Sequence, residues 1–293
     1  MKRPHLFLML ALIFSNCTQS NDESASENLN PSPMLFEISN DEGHLEGWLF
    51  GTIHALPSNV RWQTPLFEDI VNEAEALVVE AYEIRDRNKA ATIFSHLSQS
   101  GNSQSLLDRL DTSHHASLKG ILTENHVSIA EFDQLETWAA ALVLSRLGLK
   151  GDPRFGVDHI LMSSFPEKRI YQVEGLERQL TLFDRMEDTH QHMLLIGVLS
   201  ELTNKQLQQD LITAWLTGDE SILASHVRKG ILADPTLYQA LLADRNRQWM
   251  RSITRLLNKE EKLLFAFGAA HLIGPDSIVN LLSGQGFKIR RIQ

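Results

Sequence analysis

Two histidines close near-identical short sequences at opposite ends of this chain, Phe50-Gly51-Thr52-Ile53-His54 and Phe267-Gly268-Ala269-Ala270-His271, and they are its residues best suited to chemistry. Imidazoles facing one crevice can share a metal ion or divide acid and base duties. Two carboxylates belong with them by pattern: Glu80 ends the apolar run Leu77-Val78-Val79, and Glu174 ends Arg169-Ile170-Tyr171-Gln172-Val173. Two histidines with one or two carboxylates form a ligand set used for Zn, Mn, Co or Fe, with positions left open for water. Such an ion lowers the pKa of a bound water and polarises a carbonyl, while a carboxylate outside its ligand shell acts as general base. The metal-free alternative makes one histidine the base, lets the other stabilise charge and uses Glu80 to orient the first. The plain alternative is that the F-G-x-x-H pattern recurs by chance or that each histidine caps a loop. Matching contexts at both copies weaken that reading.

Those contexts are strand ends. Trp48-Leu49 precedes the first copy and Leu263-Leu264-Phe265-Ala266 the second, short apolar and aromatic runs that read as buried strands. In open α/β sheets the crevice beyond the carboxyl ends of the strands is where ligands bind, and glycine there permits close backbone approach. Leu35 to Ser39, a turn at Asn40-Asp41-Glu42-Gly43, and Leu45 to Ile53 predict a hairpin that delivers His54. A helix from Pro65 to Ala76 leads into the strand ending at Glu80. Asp86 to Leu147 reads as helical, with Trp138, Ala139, Leu142, Val143 and Leu147 in a core-facing stripe. His96, His114, His115 and His126 show no ligand spacing and read as surface or satisfied residues. Asp158, in Phe155-Gly156-Val157-Asp158-His159, could cap the helix that follows or point into the crevice, and its position favours the cap. Glu177 to Leu257 is again helical, broken near Gly218 and from Gly230 to Pro235. Within it Arg245-Asn246-Arg247-Gln248-Trp249 is dense in charge, as a solvated helix face would also be. A strand Leu263 to Phe267, a helix from Pro275 to Ser283 and a strand Phe287 to Ile292 close the chain. The expected architecture is an α/β mixed central sheet built from two related halves with a large helical insertion.

Composition narrows the function. At 293 residues with 43% hydrophobic content the chain can bury a substantial core. A formal net charge of −10 and no basic block beyond the first three residues exclude nucleic acid as the main partner. No Gly-x-Ser-x-Gly elbow, Walker loop, Rossmann glycine cluster or His-Glu-x-x-His is present. Lys2 and Arg3 followed by the apolar run from Leu6 to Phe14 read as an export signal too short to span a bilayer. The single cysteine, Cys17, stands where bacterial lipoprotein signals carry their lipidated cysteine, although Asn16 is bulkier than the usual preceding residue. Residues 1–17 are thus expected to be a lipoprotein-like signal, 18–33 a disordered polar spacer, and 34–293 the functional domain. Thr18 after the cysteine favours the outer membrane, with the domain facing the periplasm or the surface.

Taken in order, Leu49-Phe50-Gly51-Thr52-Ile53-His54, Val79-Glu80, Phe155-Gly156-Val157-Asp158, Val173-Glu174 with Gln179-Leu180, Arg245-Asn246 with Trp249, and Gly268-Ala269-Ala270-His271-Leu272-Ile273-Gly274 resemble the successive motifs of the TraB/GumN (PrgY, Tiki-related) family. The resemblance implies an α/β fold shared with Tiki proteases and erythromycin-esterase-like proteins. In that fold two G-x-x-H histidines and a glutamate support metal-dependent peptide hydrolysis. It carries His54, His271 and Glu80 over as metal-binding or catalytic residues, with Mn, Co or Zn as the ion. Glu174 is expected to be a second catalytic carboxylate, ranked with Asp158 behind the other three and better suited to orienting a ligand or capping a helix than to binding metal, and Arg245, Asn246 and Asp158 are candidates for binding or positioning substrate. Ser277 stands where the family usually has a second glycine, and the Gln179 motif lacks the usual small-residue turn. Two function classes follow: a tethered metal-dependent hydrolase, most simply a peptidase, or a non-catalytic lipoprotein that captures a peptide or small signal.

Overall fold

The computed structural model describes residues 30–99, 104–148 and 151–293. Cys17 and the export signal lie outside the described residues, as does the spacer up to residue 29. At the end of that spacer, the Ser32 N–H donates to the Leu216 carbonyl at 2.7 Å and fastens the chain just before the first strand.

Six strands form one mixed sheet in the order β4-β3-β5-β2-β1-β6. The expected hairpin is β1 (Leu35–Ser39) and β2 (Leu45–Thr52), paired antiparallel. Its turn is closed by Asn40, whose carbonyl accepts from Gly43 N–H and whose side chain accepts from His44 N–H, with Gly43 at φ +89°. β3 (Ala76–Val79), β4 (Ile170–Gln172) and β5 (Leu263–Gly268) run parallel to β2. β6 (Lys288–Arg291) pairs antiparallel with β1 at the far edge. β3 and β5 are apolar almost throughout because parallel strands are covered on both faces. β4 is shorter than the expected Arg169 to Glu174. Past Gln172 the backbone turns around β3 instead, with Glu174 N–H and Gly175 N–H both donating to the Glu80 carbonyl at 3.1 and 2.9 Å. That wrap sets Glu174 beside Glu80.

The register separates the two F-G-x-x-H copies. Gly51 pairs with Phe267 and Phe50 with Ala266, so the motifs are offset by one residue and their phenylalanines point to opposite faces. Phe50 joins Phe67, Trp62 and Trp215, with ring centroids 4.5 to 6.5 Å away. Phe267 instead meets Trp249 at 5.2 Å. The Trp215 indole donates to the Gly51 carbonyl at 2.8 Å, which ties the helical layer to the end of β2.

The helices fall into two packed groups. Helix α1 (Pro65–Glu73) starts on Thr64, whose hydroxyl accepts from Phe67 N–H, and it ends three residues before the expected Ala76 because Ala76 already opens β3. The region expected to be helical from Asp86 to Leu147 divides into α2 (Arg87–Leu97), α3 (Thr112–Glu124) and α4 (Thr137–Leu147). It shares one hydrophobic core with α6 (Leu176–Asp184) and α7 (Asp188–Thr203), built on Trp138, Leu118, Leu195 and Leu199. Two stretches far apart in sequence therefore make a single helical body, while α5 (Val157–Ser164), α8 (Lys205–Thr217) and α11 (Asp244–Leu257) cover the sheet. Between them, α9 (Glu220–Lys229) and the single turn α10 (Pro235–Tyr238) lead through a π-helical turn, Gln239–Ala243, into α11. The last helix, α12 (Ile278–Gly284), is capped by Ser277, whose hydroxyl accepts from Asn280 N–H. The residue that departs from the usual glycine is thus a favourable helix cap.

Candidate functional site

The carboxyl ends of four neighbouring parallel strands carry the four residues the sequence singled out. Across the sheet order they are Glu174 after β4, Glu80 after β3, Gly268 with His271 after β5, and His54 after β2. β5, last of the four in sequence, is inserted between β3 and β2, so the chain leaves neighbouring strands in opposite directions there. That topology opens a crevice.

Gly268 is the hub. Its N–H donates to Glu80 Oε1 at 2.8 Å. A Cβ on Gly268 would lie 3.3 Å from Glu80 Oε1, 3.7 Å from His271 Cδ2 and 3.9 Å from His54 Nε2. The missing side chain leaves a cradle walled by all three groups. The glycine of the other copy has different work: at Gly51 a Cβ would press on Ala269 and Met34 at 3.4 Å, so it lets the turn after β5 sit against β2.

Each histidine is held through Nδ1 by a different partner. His54 Nδ1 is 2.8 Å from Asp158 Oδ2, and the other carboxylate oxygen accepts from the Thr52 hydroxyl at 2.8 Å. Asp158 does not cap α5: the cap position is Gly156 and no side chain closes it. His271 Nδ1 is 2.5 Å from Asn246 Oδ1. Because Asn246 Nδ2 donates to the Asp276 carbonyl at 2.8 Å, its oxygen must face the ring, and His271 Nδ1 carries the proton. Nε2 of His271 is therefore the lone-pair nitrogen, 3.8 Å from Glu80 Oε1. Trp249 lies against the His271 ring with centroids 4.4 Å apart.

Arg245 joins the parts from below. Its Nη2 donates to Glu80 Oε2 at 2.9 Å and to Glu174 Oε2 at 2.8 Å, and its Nε lies 3.2 Å from both Glu174 oxygens. Its Nη1 donates to the Leu241 carbonyl at 3.1 Å and approaches His271 Nε2 at 3.4 Å. All five guanidinium N–H groups thus have partners inside the protein. Asn246 is fully buried with both polar side-chain atoms engaged, so the Arg-Asn pair packs inward as structure instead of lying on a solvated helix face.

The charges sort the two histidines. Asp158, helped by Glu80, raises His54 to about 9 against its desolvation and the repulsion of Arg245. The side chain keeps 70% of its surface open, and water screens that attraction. Burial, with Arg245 and His54 nearby, pushes His271 down to about 3 although Glu80 pulls the other way. Burial alone would raise Glu80, but His271, Arg245, His54 and the Gly268 N–H outweigh it and bring the carboxyl to about 2.

These shifts give a pH profile of stability. His271 stays neutral in the fold below its ordinary pKa while the unfolded chain takes up a proton, so stability falls as pH drops from about 6.5 towards 3. Glu80 adds a loss in the same direction, complete once pH passes below about 2. The His54 contribution is whole below about 6.5 and fades as pH rises through about 9. The melting temperature of metal-free protein is expected to peak close to neutrality and fall on both sides. A melt series flat from pH 7 to pH 4 would show that His271 and Glu80 are not held as described.

Of the residues proposed from sequence, His54, His271, Glu80, Glu174, Asp158, Arg245 and Asn246 all meet around this crevice. His96, His114, His115 and His126 stay in the helical body, where the His115 ring lies 3.1 Å from the Leu110 carbonyl. Thr52, Gly268 and Trp249 are additions that the sequence reading did not assign. Thr52 and Gly268 lie within the F-G-x-x-H copies themselves, and Trp249 is one helical turn from Arg245. Among the described residues no three His, Cys, Asp or Glu side chains stand as a ready-made metal cage. No curated protein and no solved structure matches the chain. The family model described as TraB/PrgY/gumN matches residues 34–291, the whole span that builds the sheet and the crevice, and the chain belongs to the TraB/PrgY/gumN family.

Proposed function

We propose that this protein is a hydrolase of peptide or related acyl bonds, working at the cradle beside Gly268 with His54, Glu80 and His271 as its reacting groups. The observation that carries this reading is the empty Cβ position walled by a carboxylate oxygen and two imidazoles. The donor set suits a divalent ion: both Nδ1 atoms are fixed by outer partners, which is how metal-binding histidines are usually oriented. Glu80 and Glu174 share the guanidinium of Arg245 while Asp158 pairs with His54, so three carboxylates stand around one permanent cation, an excess of negative charge that favours a further cation. His54 Nε2 and Glu80 Oε1, with His271 Nε2 once it gives up its 3.4 Å contact with Arg245 Nη1, would hold Mn, Co or Zn, which would supply a Lewis acid for the scissile carbonyl and an acidified water. In the metal-free alternative Glu80 Oε1 takes a proton at the cradle, since Gly268 N–H occupies one of its lone-pair directions and leaves another. His54 Nε2, open to solvent, then holds or releases a proton towards a leaving group instead of binding an ion. His271 stays neutral, and Arg245 keeps Glu80 ionised.

Two related sheet halves, as in Tiki and erythromycin-esterase-like proteins, and attachment to the outer membrane through Cys17 complete this reading. Intact mass of the membrane-extracted protein tests the anchor, and an unmodified Cys17 would refute it. The charge closure of Arg245 on Glu80 and Glu174 would equally suit a protein that captures a peptide without cutting it. A peptide-library cleavage screen with Mn, Co and Zn, alongside metal analysis of protein purified without chelator, separates the two. Cleavage with bound metal is the expected result; neither metal nor cleavage would leave the binding protein.

Gly268→Ala offers a sharper check. The added methyl enters the cradle 3.3 Å from a Glu80 oxygen that Gly268 N–H and Arg245 hold in place. We expect a stability loss of about 1–3 kcal/mol, typical of an overpacked methyl, with loss of metal binding and turnover. A variant that binds and cleaves like wild type would put the reaction elsewhere.

A further inference from the structure

We infer that the segment Phe155-Gly156-Val157-Asp158 is a clamp that positions His54, with Asp158 as the positioning residue and neither a helix cap nor a substrate anchor. The inference deepens the hydrolase reading and rests on it for its kinetic consequences, but the geometry stands by itself. Three attachments fix the start of α5 against the end of β2. Val157 N–H donates to the Ile53 carbonyl at 3.0 Å. Gly156 lies so close to the His54 backbone that a Cβ there would stand 2.0 Å from the His54 carbonyl oxygen. Asp158, in the first turn of the helix and nearly buried, then reaches His54 Nδ1 with one oxygen and Thr52 with the other.

The chemistry of the clamp follows from its acceptors. A carboxylate can only accept, so His54 Nδ1 must carry a proton and Nε2 is the nitrogen left to face the crevice. Thr52 occupies the second oxygen, so the carboxylate cannot swing away to serve a substrate without losing both bonds. Thr52 precedes His54 by two residues on the same strand end, and the brace therefore closes on the chain that carries the imidazole. A neutral imidazole without such a brace prefers its proton on Nε2, which would withdraw the crevice-facing lone pair.

The test uses full-length protein labelled with ¹⁵N-histidine, with His54→Gln to assign the ring signals, and compares wild type with Asp158→Ala, Gly156→Ala and Thr52→Val at alkaline pH, where the His54 ring is neutral. In wild type His54 Nδ1 should be protonated. In Asp158→Ala, which leaves no acceptor at Nδ1, the proton should move mainly to Nε2, and Gly156→Ala should do the same with the carboxylate retained, because its methyl pushes α5 off His54. On a peptide that wild type cleaves, kcat should fall at least about 100-fold in Asp158→Ala, as for the loss of an acid/base group. KM should stay within about threefold, because no ground-state contact with substrate is removed. Thr52→Val, which spares both carboxylate and backbone, should show a smaller loss of the same kind and serves if the other variants do not fold. A Nδ1 proton unmoved in Asp158→Ala would overturn the clamp, as would a raised KM with kcat intact, the mark of a substrate anchor. If wild type cleaves nothing, the hydrolase reading fails while the ring signals still decide the positioning.

Discussion

Arg245→Met is expected to cost about 3–5 kcal/mol of stability at neutral pH, the range seen when one partner of a buried ion pair is removed. The size follows from what is left behind. Glu80 and Glu174 are both nearly buried, both lean on the same guanidinium, and no other cation among the described residues forms an ion pair with either, since His271, 3.8 Å from Glu80, is neutral. Without Arg245 the fold must keep two close carboxylates apart from water or protonate one of them. Burying the apolar stem of methionine beside Trp249 recovers only part of the loss, because Arg245 already lies 4.7 Å from that ring as a cation. Arg245→Lys should fare better but still fall short, since one ammonium with three donors cannot serve five acceptors spread over Glu80, Glu174, the Leu241 carbonyl and His271. Urea unfolding at pH 7 and pH 5 measures both variants. A loss under about 1 kcal/mol for Arg245→Met would mean the pair is far more hydrated than the structure indicates. Adding Glu174→Gln to Arg245→Met should restore part of the stability, since the second change removes one of the stranded charges.

The strand ends were legible because apolar runs that stop on His or Glu are local signals, and β2, β3 and β5 deliver His54, Glu80 and His271 as those runs imply. Register was not. The one-residue offset that sends Phe50 and Phe267 to opposite faces depends on which strands pair, and two matching pentapeptides suggest instead an equivalence that the sheet does not keep. Asp158 illustrates the same limit. Its place at the head of a helix favours a cap, but the glycine two residues earlier takes that position, and the carboxylate is drawn away by Thr52 and His54 from another part of the chain. The burial of Arg245 and Asn246 could have been read. Trp249, Met250, Ile253, Leu256 and Leu257 form a helical stripe, and one turn back it falls on residues 245 and 246, so the charged pair must enter the core with it. What no stripe reveals is the acceptor set waiting there. Neither could the helical stretches on either side of β4 be seen to share one core, since contacts between distant helices leave no periodic trace in either.

Glu80→Gln should lower turnover by about 100-fold or more while the protein still folds. The substitution keeps the shape and an oxygen that can accept from Gly268 N–H, but its amide nitrogen would then face Arg245 Nη2, donor against donor. Glu174 still pairs with the guanidinium, so a modest stability loss of about 1–3 kcal/mol is expected, the cost of one unsatisfied buried contact. Activity suffers more because the amide can neither take a proton from water nor balance a cation. Metal content divides the two roles that the carboxylate could have. If Glu80 ligates the ion, metal affinity should fall with turnover, since a neutral amide is a poor replacement for a carboxylate ligand. If it is the base, metal should remain at wild-type level while kcat alone falls. Its geometry allows either, because Oε1 is the oxygen towards the cradle and His271 Nε2, whereas Oε2 is spent on Arg245. A Glu80→Gln protein that keeps both bound metal and full cleavage of a wild-type substrate would remove Glu80 from the chemistry. The role would then pass to Glu174, the other carboxylate on the same guanidinium.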